Sequence, residues 1–269
     1  MLQYIDFQAM ERVARGMANR QLSDYLCTTM AAQLPRIPST AEWVPLLVEE
    51  AGKYACAAGH DQGRAYTTYI TICFLLGPAW EFEPGNREIV QVMSDPDMDI
   101  DSRLDMALSR SIALRRHLES VLPQTLGFVE AALAQGDGLS MAFFWETFQH
   151  MAGLRGVLYE EEVLDWLEVY EGDAFLLYRH APFERERITR QLIDLHKRGG
   201  WPLPRPVDPY LTLEPEVARK VAIHALVAMT YGRRFNRNPL LRSLPLSSPS
   251  ELRAFLQQHR QALTEHAHD

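Results

Sequence analysis

Apolar residues in this chain recur at three- and four-residue spacing, and nowhere do they alternate with period two for long enough to build a sheet. That pattern predicts an all-α protein, a helical bundle. Leu104, Leu108, Ser111, Ile112 and Leu118 form one stripe, and Val163, Leu164, Leu167 and Tyr170 a second. Ile188, Leu192 and Leu195 form a third, and Leu252, Phe255, Leu256 and Leu263 a fourth. Each puts one apolar face toward a core. Leu and Ala outnumber the β-branched Val and Ile, which pushes the same way. Only near Phe175 to Tyr178 does the pattern leave room for a short strand pairing.

Local signals mark where helices begin and stop. Ser39-Thr40-Ala41-Glu42 and Ser248-Pro249-Ser250-Glu251 read as capping boxes, the second with Pro at the first helical position. Gln135-Gly136-Asp137-Gly138 breaks the chain once. The Pro-rich run from Gly199 to Pro206 breaks it again, and its Trp201 is expected to lie against the body of the fold.

Composition narrows the function. A length of 269 residues with 47 % hydrophobic residues supplies a core that needs no disulfide or metal staple. The formal charge of −8 has the wrong sign for a partner held through phosphates, so neither nucleic acid nor an anionic membrane is expected. The longest apolar run, Tyr66 to Pro78, is short of the roughly 20 residues a membrane span requires, so no insertion is expected. The first residues lack a basic start followed by an apolar run, so no secretory signal is expected. Cys27, Cys56 and Cys73 are odd in number and set among apolar neighbours, which fits reduced thiols and a cytoplasmic location.

Candidate chemistry is sparse. Asp95, Asp97, Asp99 and Asp101 alternate like the oxygens of a calcium loop, but Ile100 stands where the turn requires Gly and Met106 where a bidentate Glu closes the sphere. The plainer reading is an acidic turn in which Asp101 and Ser102 cap the next helix. His60-Asp61 is similar to the dyad of helical metal-dependent phosphohydrolases, although Asp61 opening a helix explains the same pair. An all-helical hydrolase with a carboxylate and His site is therefore the enzymatic alternative. No histidine pair has metal-binding spacing, and no nucleophile elbow, phosphate loop or dinucleotide fingerprint is present. No catalytic residue, metal or cofactor is expected.

Two helix ends echo each other: Gly77-Pro-Ala-Trp80-Glu-Phe-Glu-Pro84 and Gly232-Arg-Arg-Phe235-Asn-Arg-Asn-Pro239. In each, Gly closes a helix in a left-handed conformation, an aromatic folds back and Pro stops the helix. Capping alone produces such an echo; a duplication produces it too, with related halves 1–135 and 136–269. The first copy, followed by Arg87 to Pro96 and the helix opening at Asp101-Ser-Arg103, resembles α-helical bacterial proteins encoded beside type VI secretion effectors and their adaptor or chaperone genes. The resemblance spans residues 45–120, departs at Trp80 and Gly85-Asn86, and implies a part in loading, folding or neutralising a secreted toxin. It supplies turn residues only: Gly77, Trp80, Pro84, Gly232, Phe235 and Pro239.

The remaining charge feature is Glu160, Glu161, Glu162, Asp165, Glu168, Glu171 and Asp173 beside an apolar stripe. An amphipathic acidic helix of this kind is a solvated face or a docking surface for a basic partner. Arg179, Arg185, Arg187 and Arg190 follow at once and could pair with it across a hairpin. The expectation is a non-enzymatic protein-binding accessory protein, an adaptor or chaperone for a type VI secretion effector or an immunity protein. Its partner is a secreted effector or spike component.

Overall fold

A computed structural model describes residues 7–30, 34, 36–180, 190–202 and 213–265. The protein is an all-α helical bundle with no strand among the described residues. Its helices are α1 (Phe7–Thr29), α2 (Val44–Ala57), α3 (Gly63–Leu76), α4 (Arg87–Ser94), α5 (Ile100–Ala134), α6 (Met141–Leu154), α7 (Glu160–Tyr178), α8 (Arg190–Gly199), α9 (Pro215–Tyr231) and α10 (Pro249–Glu265). Phe175 to Tyr178 continue α7 and pair with no strand. None of these helices is long and apolar enough to cross a membrane.

The spine is α5, 35 residues and roughly 50 Å long at 1.5 Å per residue. Its faces meet α3, α4, α6, α9 and α10, while α2 lies along α3 and α7 along α9. One continuous apolar cluster runs from Leu22 and Leu26 of α1 to Leu252 and Leu256 of α10, so the two halves of the chain share a single core. Phe148 sits at its centre against Phe144, Trp145 and Tyr170, ring centroids 6.0 to 6.4 Å apart. Phe144, Phe148 and Tyr170, the fully buried rings of this group, each contribute about 1.5–3 kcal/mol from burial alone.

Several starts differ from the sequence expectation. Thr40 donates its hydroxyl to Glu42 and caps nothing; a 3-10 turn, Ala41–Trp43, intervenes before α2 opens at Val44 with Pro in its first turn. Gln62, and not Asp61, is the N-cap of α3. Asp99 caps α5 in place of Asp101 and Ser102, its carboxylate accepting the Ser102 N–H at 3.0 Å. The Ser102 hydroxyl first and its N–H second hold the Asp99 carboxyl below the usual carboxylate range. Asp101 and Asp105 face outward to Arg64. The box at Ser248 half forms: its hydroxyl accepts the Glu251 N–H at 3.3 Å.

The end of α8 is a Schellman motif. Gly200 takes φ +65°, the Trp201 N–H donates to the His196 carbonyl at 3.0 Å, and the indole packs edge-on against the His196 ring. Trp201 is consequently held on its own helix and is 56 % exposed, not set against the body of the fold as expected. Ile188 and residues 203–206 lie outside the described residues.

Candidate functional site

Gly77 and Gly232 close α3 and α9 with nearly the same backbone, φ/ψ of 93/157 and 92/162. The expected left-handed cap is corrected in one respect: φ is positive but ψ is extended, a region essentially confined to glycine. Matching 3-10 turns follow, Trp80–Phe82 then Pro84–Asn86 in one copy, Phe235–Arg237 then Pro239–Leu241 in the other. The aromatics fold back onto equivalent helix positions. Trp80 lies 5.6 Å from the Tyr69 ring and Phe235 lies 4.9 Å from the His224 ring, all four buried.

The two turns face each other. A Cβ built on Gly77 would lie 3.5 Å from Asn238 Nδ2, and one on Gly232 would lie 3.6 Å from the Leu76 carbonyl and 4.0 Å from Glu83 Oε2. Glu83 and Asn238 occupy the same place in the two motifs, and each reaches the other motif's glycine. They differ in what they do there. Asn238 turns inward to accept its own Leu240 N–H at 3.0 Å. Glu83 crosses to the second half, where one oxygen accepts the Arg233 N–H at 2.7 Å.

The other Glu83 oxygen accepts from the Tyr170 hydroxyl and lies 3.1 Å from Arg155 Nη1. Both charged side chains are almost fully buried, 4 % and 5 % exposed. Arg155 also donates to the Met229 carbonyl at 3.1 Å and lies over the Trp166 ring at 4.8 Å. Burial works against the guanidinium charge, but Tyr170 and Glu83 outweigh it and hold Arg155 above its ordinary value. Burial, with Glu83 beside it, pushes the Tyr170 hydroxyl well up. A second clamp lies alongside: Arg233 grips Asp173 of α7 through Nε and Nη2 at 2.5 and 3.0 Å, and donates to the Phe82 carbonyl at 3.1 Å.

Between the turns lies a cavity of about 50 Å³, bordered by Gly77, Glu83, Arg115, Arg155, Gly232 and Asn238. That volume holds a few water molecules and is far below the 300 Å³ or so of an organic ligand pocket. No protein-family model, no curated protein and no solved structure matches the chain.

The acidic helix expected to dock a partner is divided by the fold. Glu160 and Glu161 are exposed at the start of α7, and Glu162 is half-buried. Asp165 and Glu168 are half-buried and engaged in contacts of their own. Glu171 is 3 % exposed and Asp173 8 %, which corrects their expected place on an open face. The period of α7 turns its second half into α9, so acids placed there serve the core. Asp173 finds its cation in Arg233, not across a hairpin; Arg185, Arg187 and the side chain of Arg190 lie outside the described residues, and Arg179 is exposed. What remains open is a ridge: Leu158 and Tyr159, 81 % and 76 % exposed, directly before Glu160 and Glu161.

The residues weighed for metal chemistry go elsewhere. His60 packs against the Tyr69 ring at 5.7 Å, and Asp95 accepts the Asp97 N–H in a local turn. No group of three His, Cys, Asp or Glu side chains among the described residues is placed to hold a metal. Cys27, Cys56 and Cys73 are free thiols, and burial pushes Cys73 well up. The central network was not legible in the sequence because its carboxylates and arginines pair across 60 to 150 residues. The traces it left were Glu83, opposite Asn238 in the repeated turn, and Asp173, in the acidic run.

Proposed function

We propose that this chain is a non-enzymatic, protein-binding accessory protein of the cytoplasm, an adaptor or chaperone for a type VI secretion effector. The ridge Leu158-Tyr159-Glu160-Glu161 carries the reading. Two large apolar side chains stand exposed beside two carboxylates at the rigid start of a helix, a mixture suited to seating a basic, partly apolar partner. The ionisable groups of the interior support it from the other side. Glu83, Arg155, Tyr170, Asp173 and Arg233 bond one another and the Met229 and Phe82 carbonyls, joining the two turns. The secretion pathway itself rests on the resemblance of the segment around Gly77 to Pro96. An immunity protein covering a toxin's basic active site would use the same ridge, and its carboxylates favour that as the second reading.

The test is affinity purification from native cells, with mass spectrometry and metal analysis of the same eluate. Wild type, Glu160→Lys/Glu161→Lys and Leu158→Asp/Tyr159→Asp are compared. A stoichiometric effector or spike component, lost in both variants, is expected. Survival of cells expressing the captured toxin with and without this protein separates immunity from delivery. Capture indifferent to both variants, or a stoichiometric metal without a partner, would overturn the proposal.

A further inference from the structure

The helix that begins with the acidic ridge ends in an apolar patch of opposite sign. Leu176 is 74 % exposed and Leu177 43 %, and both sit one turn beyond Asp173 on α7. Phe82, 49 % exposed, is brought to the same place by two arginines. Arg233 holds Asp173 and donates to the Phe82 carbonyl, while Arg234 lies over the Phe82 ring at 5.0 Å with its Nε 3.9 Å from Asp173. Arg179 closes α7 in the left-handed conformation, and Arg237 ends the turn that Arg234 begins; both are exposed. Among the described residues Asp173 pairs with Arg233 and Arg234, and no carboxylate pairs with Arg179 or Arg237. The patch is thus basic among the described residues, on a chain whose net charge is −8.

We infer that this patch docks the acidic ridge of a second copy, so that the chain associates head to tail along α7. The ridge offers what the patch lacks, carboxylates, beside what both share, large exposed apolar side chains. Within one molecule they cannot meet, because 19 helical residues hold them roughly 28 Å apart. Between molecules nothing in α7 has to bend. The contact is heterologous, using different surfaces on the two copies, so every association leaves one ridge and one patch free for the next. Its charge pairing steers encounter and weakens with salt. The inference stands apart from the adaptor reading: a monomer could still carry an effector, and an effector seated on the ridge would displace the neighbouring copy.

Sedimentation velocity and light scattering on the full chain test it. The weight-average mass is expected to rise with protein concentration and to fall toward the monomer at high salt. A ridge variant, Glu160→Lys/Glu161→Lys, and a patch variant, Leu176→Ser/Arg179→Ser, are each expected to be monomeric. Mixed in equal amounts they are expected to give a dimer and no larger species, since one retains the patch and the other the ridge. Helical circular dichroism checks that both are folded; if the leucine variant is not, Arg179→Ser alone is run in its place. A wild type that stays monomeric at low salt, oligomers indifferent to both variants, or a mixture that stays monomeric would each overturn the inference. A monomeric chain whose patch captures a different acidic protein would overturn it as well.

Discussion

Removing the Glu83 carboxylate is expected to be among the most destabilising single changes in this protein. Glu83 lies 3.1 Å from Arg155, accepts the Tyr170 hydroxyl, and takes the Arg233 N–H at 2.7 Å, all with almost no access to water. Glu83→Ala leaves the Arg155 charge buried with only neutral partners, the Met229 carbonyl, the Tyr170 hydroxyl and the Trp166 face. Breaking a buried pair in this way costs about 3–5 kcal/mol, a large share of the 5–15 kcal/mol or so that folds a typical domain. Replacing both charges, as in Glu83→Ala/Arg155→Met, removes the stranded cation and is expected to recover a good part of that loss. Urea unfolding of wild type, Glu83→Ala, Arg155→Met and the double variant, followed by tryptophan fluorescence, closes a double-mutant cycle. Coupling of at least about 2 kcal/mol is expected. A Glu83→Ala variant within about 1 kcal/mol of wild type, or a double variant no better than the sum of the singles, would refute the reasoning that the pair locks the two turns together.

Gly77→Ala and Gly232→Ala are each expected to cost about 1–3 kcal/mol through backbone strain alone, because the new Cβ would make ordinary contacts at 3.5 and 3.6 Å; unchanged melting temperatures would exclude that conformation. His224 is buried, its Nε2 has no hydrogen-bond partner among the described residues, and burial pushes it down to about 4. Its folded pKa lies below the unfolded value near 6.5, so stability is full above pH 6.5 or so and is lost as the pH falls toward 4, by about 3 kcal/mol from this group. His224→Phe should flatten the melting temperature across that window, and an identical pH profile in the variant would count against it. Asp173→Asn should weaken the clamp on Arg233 by about 1–3 kcal/mol, and amide exchange in residues 232–238 should rise before exchange in α5; uniform protection would argue otherwise.

The amino-acid sequence by itself determined the helices and their interruptions. The 3.6-residue period of Leu104 to Leu118 or Leu252 to Leu263 is a local property, and so are a glycine's tolerance of positive φ and the cap offered by Ser248. It also marked both repeated turns, since Gly, an aromatic and Pro at fixed offsets act within a few residues of one another. Which polar residues face water was decided only by the tertiary structure. Glu160 and Glu171 look alike in a run of acids, yet one opens α7 in solvent while the other is turned into the body of the fold. Likewise nothing in the sequence pairs Glu83 with Arg155 or Arg233, because nothing local records that α3 and α9 bring their ends together. Hydrophobic period and turn chemistry act over a few residues, whereas the pairing of a buried charge depends on which distant helix end folding places beside it.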